Sequence, residues 1–247
     1  MKKVIDWIFT IPFLLVFGLI LLAFHPLQVI ALNLGGYKAH KAVVDCMCFC
    51  LVQNMRLTMS SMHLENRVAN IPTNRPLIIV SNHQSSLDIP MIAWLLRKYH
   101  PKYISKDSLT KGIPSISYNI RNGGSVTIDR EKPSEAVAKI KNFAEYLVKH
   151  NSSACIFPEG TRAKDGKMNP FKAKGLIQLL ESMPSALVVV VAITENWKIE
   201  RYNLCPVMAG NKFSCTAFAS LEPQDFSPED LVAETERLIR EHLGQNG

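Results

Sequence analysis

Seven unbroken apolar residues at 187–193, five of them β-branched valine or isoleucine, restrict this chain more than any other segment. Side chains branched at Cβ are stiff and pack well on a pleated surface, so the run predicts a strand. A strand that offers water no polar side is buried on both faces, the usual state of strands in parallel sheets. The surrounding sequence supplies the cover. After Pro76, short apolar runs at 77–81, 103–105, 125–129, 154–157 and 213–219 read as further strands. Helical patterns fall between and after them at 89–99, 115–121, 134–150, 175–182 and 227–243. In the clearest of these, Pro133 stands at the entry, and Ala136, Ile140, Phe143, Ala144 and Leu147 recur at three- and four-residue steps. Ser227 followed by Glu229 and Asp230 supplies an N-cap and an acidic first turn. The expected fold class is α/β: a mixed, largely parallel sheet covered by helices.

The N-terminus adds a different constraint. Residues 7–24 form an 18-residue stretch without a charge, preceded by Lys2 and Lys3 and closed by His25 and Pro26. As a helix this is roughly 27 Å long, close to the roughly 30 Å hydrocarbon core of a bilayer. A cleaved signal peptide has a shorter apolar region ending in a small-residue site, and no good site precedes Gly35 and Gly36. A second apolar stretch, 42–62, carries Asp45 and Arg56, which suit an interfacial helix better than a span. Pro12, Gly18 and Pro26 allow a bent path. Lys2 and Lys3 on one flank balance Lys38 and Lys41 on the other, so charge does not favour a clean span in either direction. The expectation is a membrane-associated helix pair over residues 1–64, half-inserted or interfacial, at the cytoplasmic face of the inner (plasma) membrane. The boundary lies near 65–76, where Asn70, Pro72, Asn74 and Pro76 punctuate the chain, and an α/β domain follows over 65–247.

With 28 Lys and Arg against 21 Asp and Glu, the formal charge is +7. A basic surface suits anionic membrane lipid, phosphorylated substrates or an acidic carrier protein. No zinc spacing, RNA-binding aromatic motif or helix-turn-helix pattern supports nucleic acid as a partner. Six cysteines are present, but none makes a CxxC and no histidine pair has metal-ligand spacing. They read as buried thiols of a reducing compartment, and no metal site or bound cofactor is expected.

Two turns carry the chemistry. The strand at 77–81 runs into Asn82, His83, Gln84, Ser85, Ser86, Leu87 and Asp88. On a continuous helix His83 and Asp88 would sit about 140° apart and could not meet. With His83 in the loop and Asp88 at the helix start as N-cap, the turn brings them together. A carboxylate on one ring nitrogen sets the tautomer and leaves the other free to take a proton from an alcohol. Asn82 and Ser86 lie beside the pair at the C-terminal end of a strand, where α/β sheets place ligands. A second turn, Phe157, Pro158, Glu159, Gly160, Thr161 and Arg162, follows another strand. Gly160 lets the backbone approach a ligand, Thr161 and Arg162 offer donors, and the arginine fork fits phosphate. Glu159 among these cations is expected to be ionised and to orient Arg162 or a ligand hydroxyl. Arg130, at the end of the 125–129 strand, and Lys106, Lys172 and Lys174 are further phosphate candidates. Together the turns read as O-acyl transfer to a phosphate-bearing alcohol.

These blocks resemble the lysophospholipid acyltransferase family, and within it the bacterial 1-acylglycerol-3-phosphate acyltransferases. Asn82 to Asp88 matches its His-x4-Asp block, Gly123 to Arg130 its second block, and Phe157 to Arg162 its Glu-Gly-Thr-Arg block. The fourth, an apolar strand that normally contains proline, aligns with 188–193, where Val190 takes the proline's place. Between Phe171 and Gly175 there is one residue more than the family commonly has. The resemblance covers residues 77–195. It implies a glycerolipid acyltransferase-like fold, an N-terminal membrane-dipping helix pair, and acyl-CoA or acyl carrier protein as co-substrate. It further implies catalysis by His83 and Asp88, with a lysophospholipid acceptor bound near Arg130, Glu159, Gly160, Thr161, Arg162, Lys106 and Lys172. The two departures bear on the acceptor, so another lysophospholipid or a lyso-aminolipid stands as an alternative. A non-catalytic lipid- or carrier-binding module is a further alternative, and an esterase would need a Gly-x-Ser-x-Gly elbow, which is absent.

Overall fold

The structure is a computed structural model that describes residues 2–129 and 132–245. Its strands are β1 (Ser61–Asn66), β2 (Leu77–Ser81), β3 (Pro101–Lys106), β4 (Val126–Ile128), β5 (Ser153–Ile156), β6 (Leu187–Thr194) and β7 (Lys212–Leu221). Its helices are α1 (Lys2–Asn54), α2 (Asp88–Leu95), α3 (Ile116–Asn122), α4 (Pro133–Lys149), α5 (Ala173–Ser182), α6 (Trp197–Glu200) and α7 (Pro228–His242). The strands form one sheet in the order β1-β7-β6-β2-β5-β3-β4. β6, the run with no polar face, lies between β7 and β2, and its valines are fully buried. From β6 to β4 all neighbours are parallel, while β7 runs antiparallel to β6 and β1 parallel to β7. The sheet is mixed and largely parallel, as expected.

Alternation along the strands divides the core into two layers. Ile78, Val80, Val188 and Val190 pack against Phe143 and Leu147 of α4, Leu176 and Leu179 of α5, and Val232 of α7. Leu77, Ile79, Val189 and Val191 face the other way, toward Phe13 and Val52 of α1 and Met91 and Ile92 of α2. All five apolar positions picked out on α4 are buried, and each large one contributes about 1.5–3 kcal/mol. The ladder between β6 and β7 slips between Val190 and Val191, a bulge at the place where the resembled family carries proline. A residue without an N–H donor is tolerated at such a break. β1 was not foreseen. It is a half-exposed edge strand that pairs only with β7, so its residues lack the apolar signature of the interior strands.

The apolar N-terminus folds as the expected helix pair, but its reversal is not at the prolines. Pro12 and Pro26 lie inside helix, and the break falls at Gly36, with φ 64° and ψ −161°, a conformation that only glycine adopts without strain. The arms are antiparallel: Gln28 Nε2 meets Met47 Sδ at 3.3 Å, and Asn54 Nδ2 donates to the Phe13 carbonyl at 3.1 Å. The second arm stops at Asn54, short of the expected 62, and β1 begins at Ser61. The expected boundary between residues 64 and 65 therefore falls inside β1, which is hydrogen-bonded to β7 along its length.

One face of the first arm docks on the domain. Thr10 Oγ1 accepts from Val207 N at 2.9 Å, Asp6 Oδ1 from Ala209 N at 2.9 Å, and His25 Nδ1 from Ser115 N at 3.1 Å. On the opposite face Val4, Ile8, Ile11, Leu15, Leu19, Leu22, Ile30 and Leu34 form an exposed apolar stripe at three- and four-residue steps, with Pro26 in the gap. Thr10→Val keeps the shape but leaves the Val207 N–H without an acceptor. It is expected to destabilise the fold by about 1–3 kcal/mol, read from thermal unfolding in detergent; an unchanged transition would remove Thr10 from the docking contact.

Candidate active site

Both motif turns leave the same edge of the sheet, because β2 and β5 are adjacent and parallel. Asn82 ties the first turn to the neighbouring strand: its Nδ2 donates to the Ile193 carbonyl at 2.9 Å and its Oδ1 accepts from Ile193 N at 2.8 Å. His83 follows, with Nδ1 2.9 Å from Asp88 Oδ2. That oxygen also accepts from Gln84 N at 2.6 Å and Ser85 N at 2.9 Å, and Asp88 Oδ1 accepts from Asn196 Nδ2 at 2.6 Å. With Nδ1 donating to that carboxylate, the neutral imidazole is the tautomer that leaves Nε2 with its lone pair. Asp88 is not the N-cap that the sequence suggested. Leu87 holds that position without a side-chain bond, and Asp88 opens α2 with its carboxylate folded back onto the preceding turn.

The two turns are locked to each other. The His83 ring lies flat on Phe157, with centroids 4.2 Å apart and planes 17° from parallel. Ala163 N donates to the His83 carbonyl at 2.8 Å. Glu159 departs from expectation: it is 1% exposed, and its hydrogen bonds run to His83 and Asn169, while Arg162 pairs with Glu200 instead. Its Oε1 accepts from His83 N at 2.6 Å, and its Oε2 from Asn169 N at 2.8 Å and Asn169 Nδ2 at 3.1 Å. Burial pushes its carboxyl above the usual range, against the lowering effect of those donors. Glu159 is a knot between turns, since both its oxygens are engaged inside the protein.

Arg162, its side chain 41% exposed, forms an ion pair through Nη1 with Glu200 Oε2. Glu200 Oε1 in turn accepts from Ser86 N at 2.7 Å, Ser85 Oγ at 3.2 Å and the Ser86 hydroxyl. Gly160 has φ 69°, and a Cβ there would sit 3.3 Å from Lys172 Cδ, so the Lys172 stem lies over this glycine. Lys172 N also donates to the Pro158 carbonyl at 2.8 Å. Thr161 is exposed beside Arg162. Lys106 ends β3, next to β5 on the same sheet edge, and is exposed. Arg130 lies outside the described residues. The structure thus brings His83, Asp88, Arg162 and Lys172 to one mouth and sets Lys106 one strand away.

Asn196 and Glu200 were missed by the sequence reading. Their one signal was position, directly after the strand that the first turn grips. Glu159→Gln puts a donor amide opposite N–H groups and is expected to destabilise the fold by about 1–3 kcal/mol in denaturant unfolding; wild-type stability would show that the knot is dispensable.

A family model described as Acyltransferase matches residues 64–194, just over half of the chain. A 1-acyl-sn-glycerol-3-phosphate acyltransferase of Helicobacter pylori is 31% identical over 219 residues, 85% of this chain and 83% of that protein. One from Cocos nucifera is 31% identical over 179 residues, covering 70% of this chain and 56% of its own length. The match spans about half the length of two plant relatives, 56% and 48% for those of Cocos nucifera and Limnanthes douglasii, and less of the chloroplastic ones of Brassica napus and Arabidopsis thaliana, 29% and 33%. The fold is that of the 1-acyl-sn-glycerophosphate acyltransferase PlsC from Thermotoga maritima, with a TM-score of 0.79 at 23% identity over 99% of this chain and 97% of that one. Matched across the strands that carry both turns, the chain belongs to the Acyltransferase family.

Proposed function

We propose that this chain is a membrane-bound O-acyltransferase. It moves a fatty acyl group from acyl-CoA or acyl carrier protein to the sn-2 hydroxyl of 1-acyl-glycerol-3-phosphate and yields phosphatidic acid. The names of the bacterial and plant relatives support the acceptor. One observation carries the chemistry: a histidine aimed by a buried carboxylate lies flat against the root of the turn that bears Arg162.

Asp88 holds the His83 ring with Nε2 as acceptor. His83 Nε2 takes the hydroxyl proton as the alcohol oxygen attacks the thioester carbonyl and the C–O bond forms. The tetrahedral intermediate then collapses, the C–S bond breaks, and the thiolate leaves. His83 returns its proton to that sulfur, so the enzyme ends the cycle unchanged. General-base assistance of this kind supplies about 10²–10⁴-fold. The planar guanidinium of Arg162, with Lys172 and Lys106 nearby, favours the acceptor phosphate, and holding the phosphate places the hydroxyl at His83.

The N-terminal hairpin supports membrane attachment from the side. Its first arm, at 1.5 Å per residue, is roughly 50 Å long, well beyond the hydrocarbon thickness. One face is bonded to the domain while the other is an apolar stripe, the pattern of a helix lying in the interface. Thioester donors of this class are water-soluble, which supports a mouth that opens to the aqueous, cytoplasmic side.

Purified His83→Ala protein is expected to lose turnover of 1-acyl-glycerol-3-phosphate with acyl-CoA and with acyl carrier protein, while its melting transition is kept. Wild-type rates in that variant would refute the base assignment. Arg162→Ala is expected to raise the acceptor KM at least tenfold, the scale of one charge-assisted contact; a loss confined to kcat contradicts a phosphate clamp.

A further inference from the structure

The segment after β6 carries two polar side chains that neither motif turn contains. Asn196 and Glu200 are four residues apart across α6, a spacing that puts them on one side of a helical turn. They reach different parts of the site. Asn196 Nδ2 donates to Asp88 Oδ1 at 2.6 Å, on the oxygen that His83 does not use. Glu200 divides its carboxylate between Arg162 on Oε2 and the Ser85–Ser86 turn on Oε1.

We propose that Asn196 and Glu200 are a positioning pair, Asn196 acting on His83 through Asp88 and Glu200 acting on the acceptor phosphate through Arg162. The inference rests on the acyl-transfer reading above and adds to it how the base and the phosphate grip are held in register.

Three observations carry it. Asn196 is fully buried, and its Oδ1 has no hydrogen-bond partner among the described residues. Among the described residues its carbonyl is unmet while its amide meets Asp88, so the carboxylate is the oxygen partner that holds this side chain. Glu200 is 7% exposed, while the side chain of its partner Arg162 is 41% exposed. A free arginine of that length samples many rotamers, and binding a phosphate would have to order it. Glu200 engages Nη1, leaving the other N–H groups of the guanidinium for a ligand. Finally, Glu200 Oε1 binds the backbone of Ser86, inside the loop that runs from His83 to Asp88. Movement of Arg162 is thereby coupled to the loop that aims the base.

Two physical effects of Glu200 oppose each other. Its charge offsets that of Arg162 and weakens phosphate attraction, while its hold on Nη1 removes the ordering cost. Ordering is taken as the larger effect, and a lowered KM in a Glu200 variant would show that the charge term wins instead.

The test is steady-state kinetics of the full-length, detergent-solubilised protein with 1-acyl-glycerol-3-phosphate and acyl-CoA or acyl carrier protein, with a thermal melt of each variant. Glu200→Gln keeps an acceptor for Ser86 N and places an amide against Arg162. It is expected to raise the acceptor KM roughly tenfold with kcat within about twofold of wild type. Asn196→Ala is expected to lower kcat by about tenfold or more with the acceptor KM unchanged. In the double variant Arg162→Ala/Glu200→Gln, KM should equal that of Arg162→Ala alone, because a residue acting through arginine has nothing to act on without it. Should Glu200→Gln fail to fold, Glu200→Asp, one methylene short of its partners, carries the same KM test. An unchanged or lowered KM in the Glu200 variant, additive losses in the double variant, or unchanged kcat in Asn196→Ala overturns the pair. An unchanged KM in Arg162→Ala itself overturns the phosphate clamp of the preceding section, a failure that the Arg162 variant alone reveals.

Discussion

A carboxylate with no access to water organises the sheet edge that both motif turns leave. Asp88 accepts from the His83 ring, from Gln84 and Ser85 backbone amides and from the Asn196 side chain. Burying an ionised carboxylate costs several kcal/mol unless its lone pairs are met, so the donors are obliged to converge. They come from the loop after β2 and from the segment after β6. One buried group therefore sets the shape of the loop, the start of α2 and the tautomer of the histidine. Glu159 repeats the arrangement one strand over, drawing His83 and Asn169 together beneath the second turn. The local structure around His83 follows from meeting these two buried carboxyl groups with protein donors.

The same economy of faces governs the N-terminal hairpin. Its first arm is apolar almost throughout, yet its two sides have different partners. Asp6, Thr10 and His25 bond to backbone amides of the domain, and the residues half a turn away are bare aliphatic side chains. Val207 and Ala209 belong to the loop that enters β7 beside the end of β6, so the arm starts at the sheet edge that both motif turns leave. The acceptor proposed above, with its tail among lipid chains and its phosphate at Arg162, fits that layout.

Much of the sheet could be read from the chain because the signals were local. β6 declared itself by composition, and α4 by the spacing of Ala136, Ile140, Phe143, Ala144 and Leu147. β1 escaped because an edge strand needs no apolar face, and its pairing with β7 spans about 150 residues that no local pattern can join. The hairpin's two arms were legible, but not the turn between them. Prolines drew attention as helix breakers, whereas the reversal needed a backbone angle available to Gly36.

At the site, the residue types and their places after two strands already singled out the same groups: a histidine with a nearby acid, and an arginine behind a glycine. Parallel neighbouring strands oblige both turns to leave one edge, so the order of elements was enough to predict that they meet. Which acid does what was not legible, because burial and hydrogen-bond partners depend on segments far apart in the chain. Glu159 read as a ligand group and proved to be a buried knot, while Glu200, in no motif, turned out to hold Arg162. Asn196 likewise looked like any residue after a strand until folding set its amide against Asp88. Residue identity fixes which protons and charges are available. Long-range packing assigns each of them a partner, and a desolvated carboxylate takes its role from whichever donors that packing delivers.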